Sequence, residues 1–137
     1  LTAFTSAAPR AYEIARLYRD KGIPTVLGGI HASMVPEEAG RFVDVVVQGE
    51  AEGIWPQVIR DFEAGTLKKY YKAPLEPLIH QPLPRRDLFH PGYVAAVIQT
   101  TRGCPMNCSF CSVSAFNGRH YRFRPIDDVL EEYASVP

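Results

Sequence analysis

The chain has 137 residues, a usual size for one domain and long enough to bury a core. It is 46% hydrophobic and 22% charged, which suits a globular protein, and 15 Lys+Arg against 15 Asp+Glu give a formal net charge of zero. That balance argues against bulk electrostatic binding to nucleic acid or an anionic membrane, and no apolar run approaches the roughly 20 residues that cross a bilayer.

The first 65 residues alternate strand and helix patterns. An apolar start at 1–5 reads as the end of a strand. Residues 9–21 carry Ala11, Ile14, Ala15, Leu17 and Tyr18 at helical spacing, with Ser6 as the expected N-cap and Gly22 as the C-cap. Residues 24–29 read as a buried strand running into a glycine turn. Residues 36–42 form a short helix with Pro at its start, where Pro is tolerated. Val45-Val46-Val47 lies in a third strand, 43–48, of the kind covered on both faces. Residues 54–64 supply the next helix, ended by Gly65. Such alternation implies a parallel sheet with right-handed crossovers, and ligands then sit beyond the carboxyl ends of the strands. Those ends are Thr5-Ser6, Gly28-Gly29-Ile30-His31 and Gly49-Glu50, one rim.

Residues 66–92 hold Pro74, Pro77, Pro82, Pro84 and Pro91 without clear periodicity and read as a linker. A strand is expected at 93–99, a loop at 100–118 and a helix at 125–133, with Asp127 and Asp128 suiting the dipole of its first turn. The chain opens at Leu1 rather than Met, inside a strand pattern, and closes in a helix pattern. It is expected to be a piece of a longer protein, with no secretory leader in view.

All three cysteines fall within eight residues, Cys104, Cys108 and Cys111. An odd, clustered count is a poor disulfide framework and points to a metal site in a reducing compartment. C-x3-C-x2-C on one loop can wrap one face of a cubane cluster and leave one iron without a protein ligand, where most cubanes take four cysteines. The alternative is a Cys3His zinc site completed by His80, His90 or His120, against which the unpaired spacing counts.

This spacing, with Phe110 just before the third cysteine, resembles the radical S-adenosylmethionine (SAM) motif. Arg102-Gly103, Gly118-Arg119 and Tyr121-Arg122-Phe123-Arg124 fit the same family. The resemblance implies that Cys104, Cys108 and Cys111 ligate a [4Fe–4S] cluster and that its open iron binds SAM. It also implies that Phe110 packs near the adenine, and that SAM is cleaved to a 5′-deoxyadenosyl radical.

The first part resembles the second half of a cobalamin (B12)-binding domain. Thr2-x-Phe4 is followed 26 residues on by Gly28-Gly29, then Ile30-His31, and later by Asp44-Val45-Val46-Val47-Gln48-Gly49-Glu50. The resemblance implies that the nucleotide tail of cobalamin lies along this rim. There Gly28 and Gly29 admit it for want of a Cβ, and Thr2, Thr5 or Ser6 hydrogen-bond it. For each glycine alone a tight turn is the competing explanation. His31 is expected to make a local hydrogen bond rather than meet cobalt, and Glu50 and Glu52 to be rim or cap residues.

The whole chain thus resembles the middle of a cobalamin-binding radical SAM enzyme. The fold class implied is α/β: a partial Rossmann-like (flavodoxin-like) parallel sheet at 1–65, a linker at 66–92, and at 93–137 the first β-loop-α unit of a partial TIM barrel. The resemblance implies methyl transfer to, or oxidative cyclisation of, an unactivated carbon. The substrate would be a small molecule (a lipid, tetrapyrrole or natural product), with an electron donor as partner and a cytoplasmic setting. The isolated piece is expected to be inactive. Two alternatives stay open: a radical SAM enzyme without cobalamin, such as a methylthiotransferase, and a zinc-stabilised α/β domain. No catalytic side chain is assigned.

Overall fold

The computed structural model describes residues 1–136. The chain forms two compact units, Leu1–Leu75 and the residues from Glu76 onward.

The first unit is built on parallel strands. The amino group of Leu1 donates to the Val26 carbonyl at 2.7 Å, the Gly28 N–H donates to the Leu1 carbonyl at 3.0 Å, and Thr2 bridges Gly28 in parallel. The residues expected to end a strand therefore form a single bridge on the edge of β1 (Val26–Leu27). β1 pairs with β2 (Val45–Gln48) in the register Val26↔Val45, and β2 pairs with β3 (Tyr70–Lys72) in the register Val47↔Tyr71, both parallel. Helices fill each connection: α1 (Ala8–Arg19) before β1, then α2 (Gly29–Met34) and α3 (Pro36–Phe42), then α4 (Ala51–Glu63).

The valine run explains the layering. Side chains alternate across a strand. Val46 packs on one face with Leu27, Val43 and an alanine set, Ala3, Ala11, Ala15, Ala32 and Ala39. Val45 and Val47 face the other way, against Val58 of α4, Tyr71, Ile54 and Leu67. Both faces are covered, so all three valines are buried. The small side chains on the first face let α1, α2 and α3 lie close on the sheet.

Four local expectations change. Ser6 does not cap α1: it lies in a 3-10 turn, Thr5–Ala7, which closes through Ala7 N–H on the Phe4 carbonyl, and the N-cap is Ala7. The glycine turn at 28–29 opens directly into α2, which its short run of six residues concealed. α4 starts at Ala51 rather than 54, placing Pro56 inside the helix although proline favours the first turn. The proline-rich stretch contributes β3, which β2 recruits by backbone pairing and by burying Tyr71.

In the second unit β4 (Thr101–Arg102) pairs antiparallel with β5 (Arg122–Phe123), and the loop between them carries α5 (Val113–Asn117). α6 (Ile126–Ala134) follows with Asp127 and Asp128 in its first turn, as expected. The strand expected at 93–99 is not formed, and Val94 is fully exposed. β-propensity needs a ladder partner, and within this unit the pairing falls to 101–102.

Candidate functional site

The cysteine loop leaves β4 through Gly103, whose φ is +91°. A Cβ there would overlap the His120 carbonyl and lie 3.1 Å from the Asn117 carbonyl, so only glycine fits this crossing. The Cys104 N–H then donates to the Gly118 carbonyl at 3.1 Å. At the far end the Cys111 N–H donates to the Cys108 carbonyl at 3.2 Å, a tight turn with Ser109 and Phe110 at its tip. All three thiols are free, with Cys104 and Cys111 half-buried and Cys108 exposed. Phe110 is 91% exposed, an apolar face presented beside the thiols.

Among the described residues no three His, Cys, Asp or Glu side chains are drawn together around a single ion. A cubane asks for something different, since each thiolate binds its own iron at a separate corner. Three soft sulfur donors on one backbone-pinned loop suit that group. Two of the histidines weighed for zinc have a partner at Nδ1. His80 Nδ1 lies 3.5 Å from Asp128, and His90 Nδ1 accepts the Gly92 N–H at 3.0 Å. The His120 carbonyl packs on Gly103.

The structure brings the strand-end residues of the first unit together at one rim. Gly29 has φ +87°, and a Cβ on it would sit 2.5 Å from Thr2 Oγ1 and 3.2 Å from the Ala3 nitrogen. Gly49, φ +83°, also packs closely on the Ala73 carbonyl, 3.0 Å from where a Cβ would be. Gly28 is freer: its φ is −123°, and a Cβ would meet the Val47 carbonyl at an ordinary 3.6 Å. Thus Gly29 is glycine because of its own backbone and Thr2. Of the three, Gly28 alone could accept a side chain without disturbing the protein.

Phe4 is 71% exposed on this rim, with Thr5 and Ser6 exposed beside it, and Ile30 is half-buried on α2. Glu50 is buried at the N-cap position of α4, and its side chain makes no capping hydrogen bond. His31 is 4% exposed and both ring nitrogens have partners: Nε2 faces Tyr12 Oη at 2.7 Å and Nδ1 faces Thr5 Oγ1 at 3.3 Å. Tyr12 in turn donates to Glu38 Oε1 at 3.1 Å. Burial, and then the Glu38 carboxylate, push the Tyr12 phenol up to about 12, so it stays a donor. His31 is therefore the centre of a local hydrogen-bond chain.

Sequence reasoning missed Tyr12 and Glu38, which converge on His31 from α1 and α3, and it missed Ser33. The Ser33 hydroxyl donates to the Gly29 carbonyl at 2.8 Å and accepts the Gly49 N–H at 2.9 Å, stitching two strand ends. Its only sequence signal is its place four residues after Gly29 on a helix.

No family model matches the chain. It is similar to two bacteriochlorophyllide d methyltransferases of Chlorobaculum tepidum. One is the C-8(2)-methyltransferase, 37% identical over 131 residues that cover 89% of this chain and 29% of the relative. The other is the C-12(1)-methyltransferase, 32% identical over 139 residues, 96% of this chain and 30% of the relative. It is also similar to the anaerobic magnesium-protoporphyrin IX monomethyl ester cyclase of Cereibacter sphaeroides, 30% identical over 145 residues, 78% of this chain and 22% of the relative. The chain spans less than a third of the length of each.

Proposed function

We propose, on the premise that this chain belongs to the cobalamin-binding radical SAM family, that the whole protein is an enzyme acting at an unactivated carbon of a small molecule by methyl transfer or cyclisation. The observation that carries this reading is the C-x3-C-x2-C loop, pinned at Gly103–Cys104 and at the 108–111 turn. It is supported by similarity to methyltransferases that covers 89% of the chain. The names of the relatives favour a tetrapyrrole as substrate class. They leave methylation and ring closure side by side, and an external electron donor is part of the proposal.

Cys104, Cys108 and Cys111, as thiolates, would hold the [4Fe–4S] cluster, and the loop offers it no fourth cysteine. Phe110 would cover the adenine of SAM and keep water off it. Thr2, Phe4, Thr5, Ser6, Gly28, Gly29, Ile30, Gly49 and Glu50 form the rim along which cobalamin would lie, with His31 holding Thr5 from behind. The fit there is narrower than the glycine pair suggests, since the space a Cβ would take at Gly29 is filled by Thr2. When bound, the cluster supplies an electron for reductive SAM cleavage and cobalamin supplies a methyl carrier.

The test is anaerobic reconstitution of the protein with iron and sulfide, followed by iron counting and electron spin resonance with and without SAM. About four irons per chain and a reduced-state spectrum that changes with SAM are expected. Tightly held zinc that survives reconstitution, with no iron uptake, would overturn the reading.

A further inference from the structure

The second unit contains a buried charge cluster that touches none of the residues assigned above. Glu132 on α6 has a side chain 4% exposed, and Arg86, 7% exposed, places Nη2 2.5 Å from its Oε1. Arg124 places Nη1 on the other oxygen, Oε2. Both guanidiniums reach on to the backbone that leads into the cysteine loop. Arg86 Nη2 donates to the Val97 carbonyl at 3.2 Å, and Arg124 Nη1 donates to the Gln99 carbonyl at 3.0 Å. The Arg124 N–H adds a bond to the Thr100 carbonyl at 2.9 Å. Arg86 also reaches Ser135 Oγ at 3.3 Å, and Arg124 reaches the Asp128 carbonyl at 3.2 Å, which ties both to α6.

A buried ion cluster of this kind is weak grounds for stability, because desolvating three charges offsets most of their attraction. Its geometric effect is plain. Residues 97–99 lie outside the β4–β5 ladder, and the Val97 and Gln99 carbonyls are fastened by two arginines that one carboxylate orients. Cys104 follows β4 by way of Gly103, whereas Cys108 and Cys111 are fixed to each other by their own turn. Slippage of 97–99 would pull on β4 and, through it, shift the first cysteine against the other two.

We propose that Glu132 is a positioning residue for the cluster loop: by holding Arg86 and Arg124 on the Val97 and Gln99 carbonyls, it sets Cys104 against Cys108 and Cys111. The inference rests on the cluster reading above. Supporting partners outside the ligand set commonly change metal retention about 10- to 100-fold, and the low end is expected at this remove.

The experiment reconstitutes the full-length protein anaerobically and follows iron loss to a chelator together with the reduced-state spin-resonance line shape. Glu132→Gln is expected to lose iron about tenfold faster and to give a broadened spectrum, with Glu132→Asp recovering part of both. Glu132→Gln leaves two buried guanidiniums unpaired and could fail to fold. The triple variant Arg86→Met, Arg124→Met, Glu132→Leu therefore removes every charge while keeping the volume. It is expected to fold with a near-normal melting temperature and still show fast iron loss and the broadened line shape. Wild-type retention and line shape in the folded triple variant would overturn the proposal, as would unfolding of that variant, which would make the cluster a stability element. Iron retained normally in both Glu132 variants but lost in Cys108→Ala overturns this inference alone. A wild-type protein that takes up no iron removes the cluster reading and this inference together.

Discussion

Gly29 and Gly28 are adjacent in sequence and stand under different constraints. Gly29 has a positive φ and Thr2 Oγ1 where a Cβ would go. Gly29→Ala is therefore expected to cost about 2–4 kcal/mol from backbone and overlap together, read as a shift in the urea midpoint. Gly28→Ala should be nearly silent, since its Cβ would make only ordinary contact. Gly28→Val thus becomes the clean probe of the rim: weaker cobalamin binding with unchanged stability supports the placement, and unchanged affinity removes it. Cys108→Ala leaves two thiolates for a cubane and is expected to abolish iron retention, checked by iron per chain. Asp44 supplies a pH prediction. Burial works to raise its carboxyl, but bonds from the Thr25 N–H and hydroxyl and the Arg19 guanidinium outweigh that and hold it below the usual carboxylate range. A depressed folded value gives stability that is present above the unfolded carboxylate value and lost as pH falls through the folded one. Urea midpoints should therefore drop in acid, and Asp44→Asn should flatten that drop.

At the scale of elements, β1 matters most for its length. Two residues pair with β2, and Leu27 is fully buried between Val46 and the alanine-lined helices. Leu27→Ala is expected to destabilise by about 2–5 kcal/mol, because rigid neighbours cannot collapse on the cavity; chemical denaturation measures it. The strands at 26–27 and 45–48 were legible because β-branched runs bounded by Pro and Gly suit a covered parallel sheet. α3 was legible to the residue, since Pro36 sits at its start. α2 was not, because six residues after a glycine pair carry no periodicity to read. β3 was not, because the prolines that follow it from Pro74 onward mask a strand whose reason to form is the open edge of β2. The reverse error at 93–99 has the same origin: apolar residues of strand character without a neighbour do not pair.

At the scale of the whole molecule, the two units carry different cofactor proposals, and the comparisons run through both of them. No helix among the described residues is long and apolar enough to cross a membrane. Titrating the full-length protein with cobalamin separates the two enzyme readings. A shift in the cobalamin absorption spectrum is expected. An unshifted spectrum beside an intact iron–sulfur signal would favour a radical SAM enzyme without cobalamin.

The sequence by itself determined the cysteine spacing, the covered valine strand and the family resemblance, because each is a local pattern whose chemistry depends on residue type and interval. Tertiary structure alone decided what surrounds those patterns. His31 reads as a loop histidine until Tyr12 and Thr5 arrive from 19 and 26 residues away to occupy its two nitrogens. Gly29 reads as backbone left open for want of a Cβ until Thr2 takes up that space. Arg86 and Glu132 carry no local signal and Arg124 stands only in a family pattern until folding buries them on one another and on the backbone that leads to Cys104. Burial and pairing between distant residues are properties of packing, and no local interval encodes them.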